Sequence, residues 1–483
     1  MTTVHSSSGS KSQTTTRGAV VRFFQSGLCV VAARISVLAI VLLYGGHAAA
    51  VADDSGWQAG VARTVITPQK LMWMSGYASR DKPAEGKLHD LWAKALVMRD
   101  AGGHDAVLVT LDLIGIDRDT SREICETLQT VHGLQRSQIA LATSHTHTGP
   151  VVGENLGAMY SYGNDQAALV RDYRAFLIQS VVDVVAKAYQ DVAPAALSYG
   201  RDAADFAVNR RNNREPDVPA LREAGQLQGP VDHAAPVLVV RGSDGTLKTI
   251  VFGYACHATV LSFFQWSGDW PGFAQIEIER RHPTAVAMFV AGCGADQNPL
   301  PRRTVELAEE YGRDTADAVD RVLASDMKKV TGSLRTAYRE IDLAFGELPS
   351  QEQLELDASS DNVYIARRAK LLLQTIASQG RLAATYPYPV QAWAIGDDAR
   401  TVILGGEVVV DFSLRLKAEI ANRDLWIAGY SNDVMAYIPS LRVLREGGYE
   451  GASSMIYYGQ PTIWSEVVEE HIIATAKSLL ESL

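Results

Sequence analysis

The sequence predicts an α/β protein built of mixed β-sheets with flanking helices, and three observations lead there. The chain has 483 residues, 47% hydrophobic and 21% charged, which is enough apolar material for a large buried core and excludes disorder. Apolar runs of strand length alternate with longer segments whose apolar residues recur at helical spacing. Two turn signals, Gly242-Ser243-Asp244-Gly245 and Gly396-Asp397-Asp398, each join a pair of such runs into a hairpin.

In chain order, residues 106–114 read as a buried strand, 121–132 as a helix and 138–143 as the next strand. Together they make a βαβ unit, whose strands run parallel and whose faces are covered. Residues 169–189 are helical, and 237–241 with 249–254 flank the first turn signal, so the sheet is mixed. A helix at 273–281, a strand at 286–291 and an amphipathic helix at 305–323 follow. The region 350–385 is helical, 390–395 and 401–404 form the second hairpin, and the chain closes with a strand at 425–428 and a helix from Trp464 onward. No fixed-period repeat or Pro-rich linker divides residues 53–483, so they are read as one catalytic-sized unit.

The formal charge is −10, from 45 Lys and Arg against 55 Asp and Glu. That balance offers no electrostatic footprint for a polyphosphate backbone, so no nucleic-acid partner is expected. Residues 1–52 hold Lys11, Arg17, Arg22 and Arg34 but no acid, then an apolar run at 35–44 and a small-residue stretch ending Ala50-Val51-Ala52. This is the order of a signal peptide cleaved after Ala52, which implies a periplasmic or secreted protein; an uncleaved anchor is the other reading. Beyond Cys29 there remain Cys125, Cys256 and Cys293. A bridge between Cys256 and Cys293 is open to them in an oxidising compartment, and two buried free thiols are the alternative.

Candidate chemistry gathers at strand ends. Ser144-His145-Thr146-His147-Thr148-Gly149-Pro150 follows directly on a strand, and in extended chain residues i and i+2 face one side. Two imidazoles so placed suit zinc or another transition metal, with a pair of satisfied loop histidines as the bland alternative. His257, Asp296, Glu407 and Asn432 each follow another apolar strand, where open α/β sheets collect their ligand-binding groups. Asp296 and Asn432 also suit local turn or capping duty.

The set of motifs resembles the catalytic domain of the neutral/alkaline non-lysosomal ceramidases. The resemblance rests on Gly60-Val61-Ala62, Met74-Ser75-Gly76-Tyr77, the Ser144–Pro150 stretch, Asn209-Arg210, Tyr254-Ala255-Cys256-His257, Gly268-Asp269, Gly294-Ala295-Asp296-Gln297-Asn298-Pro299, Gly405-Gly406-Glu407, Ala428-Gly429-Tyr430-Ser431-Asn432, Tyr437, and Tyr449-Glu450-Gly451-Ala452-Ser453, all in the family's order. It implies a zinc-dependent amide hydrolase in which metal-activated water attacks ceramide or a related N-acyl compound. The implied Zn²⁺ ligands are His145, His257, Glu407 and Tyr437, with His147, Arg210 and Tyr449 catalytic and Asn298, Asp296 and Gly76 at the substrate. Such ligands suit zinc, and an open position for water makes the site catalytic rather than structural. Arg210, beside Arg211, taken alone also reads as solvated surface, and His89 is expected as structural support. A small-molecule or lipid N-acyl substrate leaves room for peripheral membrane contact, and nothing in the sequence speaks to an oligomeric state.

Two departures from the family pattern stand out. Asn298 occupies the place of a serine, and an amide cannot serve as a hydroxyl nucleophile. After Trp464 there is no run of short strands, so no C-terminal immunoglobulin-like domain is expected. Two rival readings remain: a different metallohydrolase with its own His-x-His motif, and a metal-binding family member that is non-catalytic or altered in specificity at Asn298.

Overall fold

Eight strands and a short ninth make the main sheet of the computed structural model, which describes residues 56–420 and 424–483. The signal peptide expected at 1–52 lies outside the described residues. The strands are β1 (Gln58–Val65), β2 (Trp92–Arg99), β3 (Asp105–Leu111), β4 (Ile139–Thr143), β5 (Ala193–Ala203), β6 (Ala234–Gly242), β7 (Leu247–Tyr254) and β8 (Val286–Ala291). Their spatial order is β8-β7-β6-β5-β1-β2-β3-β4, with Lys328–Lys329 pairing to β5. Only the outermost pairs, β3 with β4 and β7 with β8, are parallel. Each therefore needs a crossover, supplied by α1 (Arg118–His132) and by a helix at Asp269–Arg281. The expected βαβ unit and the hairpin at Gly242–Gly245 are both present.

A second sheet contains β9 (Leu334–Ala344), β10 (Thr385–Ile395), β11 (Ala399–Leu404) and β12 (Trp426–Ala428), in that order, with only β11 and β12 parallel. The two sheets stack face to face. Alternate residues of the main sheet, among them Leu96, Leu108, Leu238, Val251 and Met288, pack against Trp393, Ile403 and Trp426 of the second. The intervening residues, such as Val97, Val107 and Val109, face α1 and the long helix α2 (Asn164–Gln190). Val237, Val239 and Phe252 face the crossover helix α3 (Asp269–Arg281) and α4 (Val305–Leu323). The second sheet's other face is covered by the C-terminal helix Val468–Glu481. Strands buried on both faces read as unbroken apolar runs, which is why 106–114 and 286–291 stand out in the sequence.

The region 350–385 forms two helices, Gln351–Asp357 and α5 (Val363–Gln379). The second reaches the turn after Tyr77, where the Tyr364 hydroxyl donates to the Ala78 carbonyl at 2.8 Å. Among the described residues no helix is long and apolar enough to cross a membrane, no immunoglobulin-like domain is present, and Cys125, Cys256 and Cys293 are buried free thiols. Burial pushes all three thiols up, so they are inert at neutral pH.

Asp433, just beyond β12, ties the second sheet to the loop that carries Glu407. Its Oδ2 accepts from the Tyr386 hydroxyl at 2.6 Å, its carbonyl accepts from Gly406 N–H at 2.7 Å, and its Oδ1 has no partner. Burial pushes its carboxyl from 3.8 up to about 7. The folded chain therefore holds a proton that the unfolded chain has lost, and stability falls as pH rises from about 4 to about 7. Asp433→Asn keeps an acceptor for Tyr386 and removes that loss. Its stability relative to wild type should rise by up to roughly 4 kcal/mol between pH 4 and pH 8, read from denaturant unfolding at each pH; parallel profiles for the two proteins would contradict the account.

Candidate metal centre

Four chain segments deliver the site. β4 ends at Thr143, and His145 then takes left-handed backbone at φ 59, a region that non-glycine residues seldom occupy. The extended geometry expected for the histidine pair is thus replaced by a turn, which still leaves the two Nε2 atoms 3.2 Å apart. Thr146 forms a parallel bridge with Ala258, which brings in His257 from the end of β7. Glu407 and Tyr437 are register partners in a two-residue parallel pairing, Glu407–Val408 with Tyr437–Ile438. Gly406 leads into it at φ +72, where a Cβ would lie 2.8 Å from the Ala436 carbonyl oxygen, so glycine is required.

Each imidazole is held the same way. Nδ1 of His145 meets the Ile114 carbonyl at 2.7 Å, Nδ1 of His147 the Gly76 carbonyl at 3.0 Å and Nδ1 of His257 the Gly294 carbonyl at 2.8 Å. A carbonyl only accepts, so Nδ1 of each ring carries a proton, and a ring in its neutral form turns a bare Nε2 inward. Burial, with the charge of Arg210 next, lowers His257 to about 4, and burial with the other two imidazoles lowers His147 well below its ordinary value. Both rings are neutral at pH 7.

Their lone pairs converge on a carboxylate. Glu407 Oε2 lies 3.1 Å from His145 Nε2 and 3.2 Å from His257 Nε2, while the Tyr437 hydroxyl lies 3.3 Å from His257 Nε2. Oε2 is a buried oxygen with no donor, an arrangement that costs about 1–3 kcal/mol per unpaired group. The three histidine ligand atoms fall within 4.8 Å of one another. Acceptors packed against acceptors are what a divalent cation resolves, and two or three imidazoles, a carboxylate and a phenol oxygen are donors that zinc accepts.

Residues 57–298, half of the chain, match the model for the N-terminal domain of the neutral/alkaline non-lysosomal ceramidases. The chain belongs to that family. A crystal structure of neutral ceramidase from Pseudomonas aeruginosa superposes with a TM-score of 0.67 at 20% identity, covering 89% of this chain and 75% of that one. A ceramidase complexed with C2 gives 0.65 at 19% identity, covering 89% and 76%. At such identities the likeness is one of fold. No curated protein matches the sequence.

The remaining residues singled out by the ceramidase motifs surround this centre at different depths. Arg210 donates from NH2 to the Tyr437 hydroxyl at 3.1 Å, from NH1 to Asn298 Oδ1 at 3.3 Å and from Nε to Glu450 at 2.7 Å. Arg211 also binds Glu450, so the arginine pair is pinned rather than solvated. Tyr449 packs edge-on to Tyr437 at 5.2 Å between centroids and lines, with Arg210 and Asn298, an open cleft of roughly 570 Å³. Asp296 sits one layer back: Oδ1 accepts from Val410 N–H and Oδ2 from Asn209, which precedes Arg210. Asn432 ties β4 to β10 through Leu141 and Gln391 and does not reach the histidines. His89 accepts from Gly268 N–H beside α3, the supporting role expected of it.

Two groups at the centre are given no role by the sequence, Tyr458 lying in no motif and Tyr430 within one. The Tyr458 hydroxyl donates to Glu407 Oε1, which leaves Oε2 as the oxygen aimed at the imidazoles. Tyr430 lies against His145 with centroids 4.3 Å apart. Gly76 enters through its backbone: it takes φ +99, and a Cβ there would sit 2.5 Å from His147 Nδ1. Gly76→Ala should therefore displace the His147 ring and weaken divalent-metal binding by about tenfold, measured by metal titration; unchanged affinity would show that His147 does not depend on this turn.

Proposed function

We propose that the protein is an exported, zinc-dependent hydrolase of N-acyl amides. The observation that carries this reading is the buried ring of bare Nε2 atoms facing the donorless Oε2 of Glu407. Family membership supports the amide bond as the target, and the basic, apolar and small-residue order of residues 1–52 supports export. His145, His257, Glu407 and Tyr437 would hold the ion, with His147 at its side. When bound, zinc polarises a carbonyl oxygen and lowers the pKa of water beside it.

The protein's own groups supply the rest. His147 is neutral because burial depresses its pKa, so its Nε2 can take a proton from an attacking water and return it to the departing amine. Burial raises the Tyr449 phenol, which keeps its proton available to the oxygen on which charge develops. Arg210 is fixed by Glu450 and grips both the Tyr437 hydroxyl and Asn298, so it aligns the metal side of the site with the substrate side. Asn298 has no hydroxyl, and the nucleophile must be water. The same residue is the ground for the alternative, a family member that binds metal without turnover or with altered specificity.

Mature protein beginning at Asp53, recovered from the exported fraction, should cleave N-acyl amides, lose that activity on chelation and regain it with zinc. His145→Ala and Glu407→Ala should each lower it at least about 100-fold together with metal content. Full activity in metal-stripped protein would overturn the hydrolase reading. Bound metal with no turnover of any N-acyl amide would favour the non-catalytic alternative.

A further inference from the structure

We propose that the N-acyl compound taken by this site bears an anionic head group, a carboxylate or a phosphate, received by the cleft beside Arg210 and Asn298. The inference rests on the amide-hydrolase reading and names the substrate class for it. Its basis is the lining of that cleft. Four arginines, Arg210, Arg211, Arg214 and Arg302, face it against two carboxylates, Glu215 and Glu450. Guanidinium groups thus outnumber carboxylates within the lining itself, in a chain whose formal charge is −10, while Glu446 and Asp217 stand just outside it; what the cleft presents is a concentration of donors.

Both carboxylates are already committed. Glu450 is shared by Arg210 and Arg211, and Glu215 takes Nε and NH2 of Arg302. Arg211 also reaches Glu446 and the Gly447 carbonyl. Arg214 remains, 82% exposed, with one loose contact to Asp217 at 3.8 Å. Arginine's planar fork matches a carboxylate or phosphate. Asn298 adds donors from the inner end: its Oδ1 is taken by Arg210, whereas its Nδ2 makes no hydrogen bond among the described residues. An amide N–H₂ and guanidinium groups together call for an acceptor oxygen.

An alkyl chain would be badly served in the same space. The one aliphatic side chain of the lining, Leu300, is 1% exposed, so little apolar surface is on offer beyond the Tyr449 ring. Laying hydrocarbon over the arginines would strip them of water with nothing in exchange. The cleft is suited to the polar end of a substrate whose acyl chain lies elsewhere.

The test uses zinc-loaded protein and three substrates with one common acyl chain: an N-acylglycine, an N-acylphosphoethanolamine and the neutral N-acylethanolamine. One or both anionic substrates should exceed the neutral one in kcat/KM by about tenfold or more, and the advantage should shrink as salt rises. Which anion leads identifies the head group. Arg214→Ser is exposed enough to spare the fold, and it should cut the anionic-to-neutral ratio several-fold; Arg302→Gln is the second probe of the same ratio. Equal or faster turnover of the neutral substrate, or a ratio unmoved in both variants, would overturn this inference and leave the hydrolase reading intact. Turnover of none of the three with metal bound would overturn both.

Discussion

Everything at this site depends on one electrostatic constraint: acceptor atoms buried against acceptor atoms. Three backbone carbonyls, of Ile114, Gly76 and Gly294, each take the Nδ1 proton of a histidine. Tyr458 takes one oxygen of Glu407 and leaves the other facing the rings. Such a cluster is unfavourable by itself and favourable around a cation, so the fold stores in its loops a preference for metal. The left-handed backbone of His145, Tyr430 and Asn432 (φ 59, 51 and 64) belongs to the same economy of placement. Residues held in that region persist only where their surroundings over-determine them.

The two stacked sheets explain how segments nearly 300 residues apart in sequence reach one point. β4 and β7 run in opposite senses along the main sheet, and the loops that follow them are joined by pairing between Thr146 and Ala258, while the parallel β11 and β12 of the second sheet bring Glu407 and the Tyr430 turn to the same point. Short bridges then set the final register: Thr146 with Ala258, Ala142 with Ser431, and Glu407 with Tyr437. Ligand-bearing loops at the carboxyl ends of parallel strands follow the general habit of α/β proteins. Here two sheets share the task.

How much of this was legible in the sequence follows from which interactions are local. Strands β3 and β8 are apolar on both faces and announce themselves, as do α1 and α4, whose buried residues repeat at helical spacing. Strands β2, β5 and β9 do not. β2 carries Lys94, buried and paired to Glu279 at 2.9 Å from another element, β5 alternates only briefly, over Ala195, Leu197 and Tyr199, between exposed ends, and β9 is half exposed with an irregular pattern. Their strand state is decided by partners across the sheet, which no local period reports. At the site, the His145–His147 pair is visible because its members are adjacent, but the reason they converge is a turn and not extended chain. Tyr458 acts only through Glu407, and a lone tyrosine has no spacing to betray it, while Glu450 lies inside a sequence motif but its hold on Arg210 and Arg211 is made across the fold.

Zinc stoichiometry and ligand type, measured on one sample of purified protein by elemental analysis and X-ray absorption, test the central claim most directly. The account predicts one zinc per chain, bound only by nitrogen and oxygen at about 2.0–2.2 Å, and no metal in the Glu407→Ala variant. A protein that takes up no divalent ion, or one whose zinc is bound by sulfur, would contradict it.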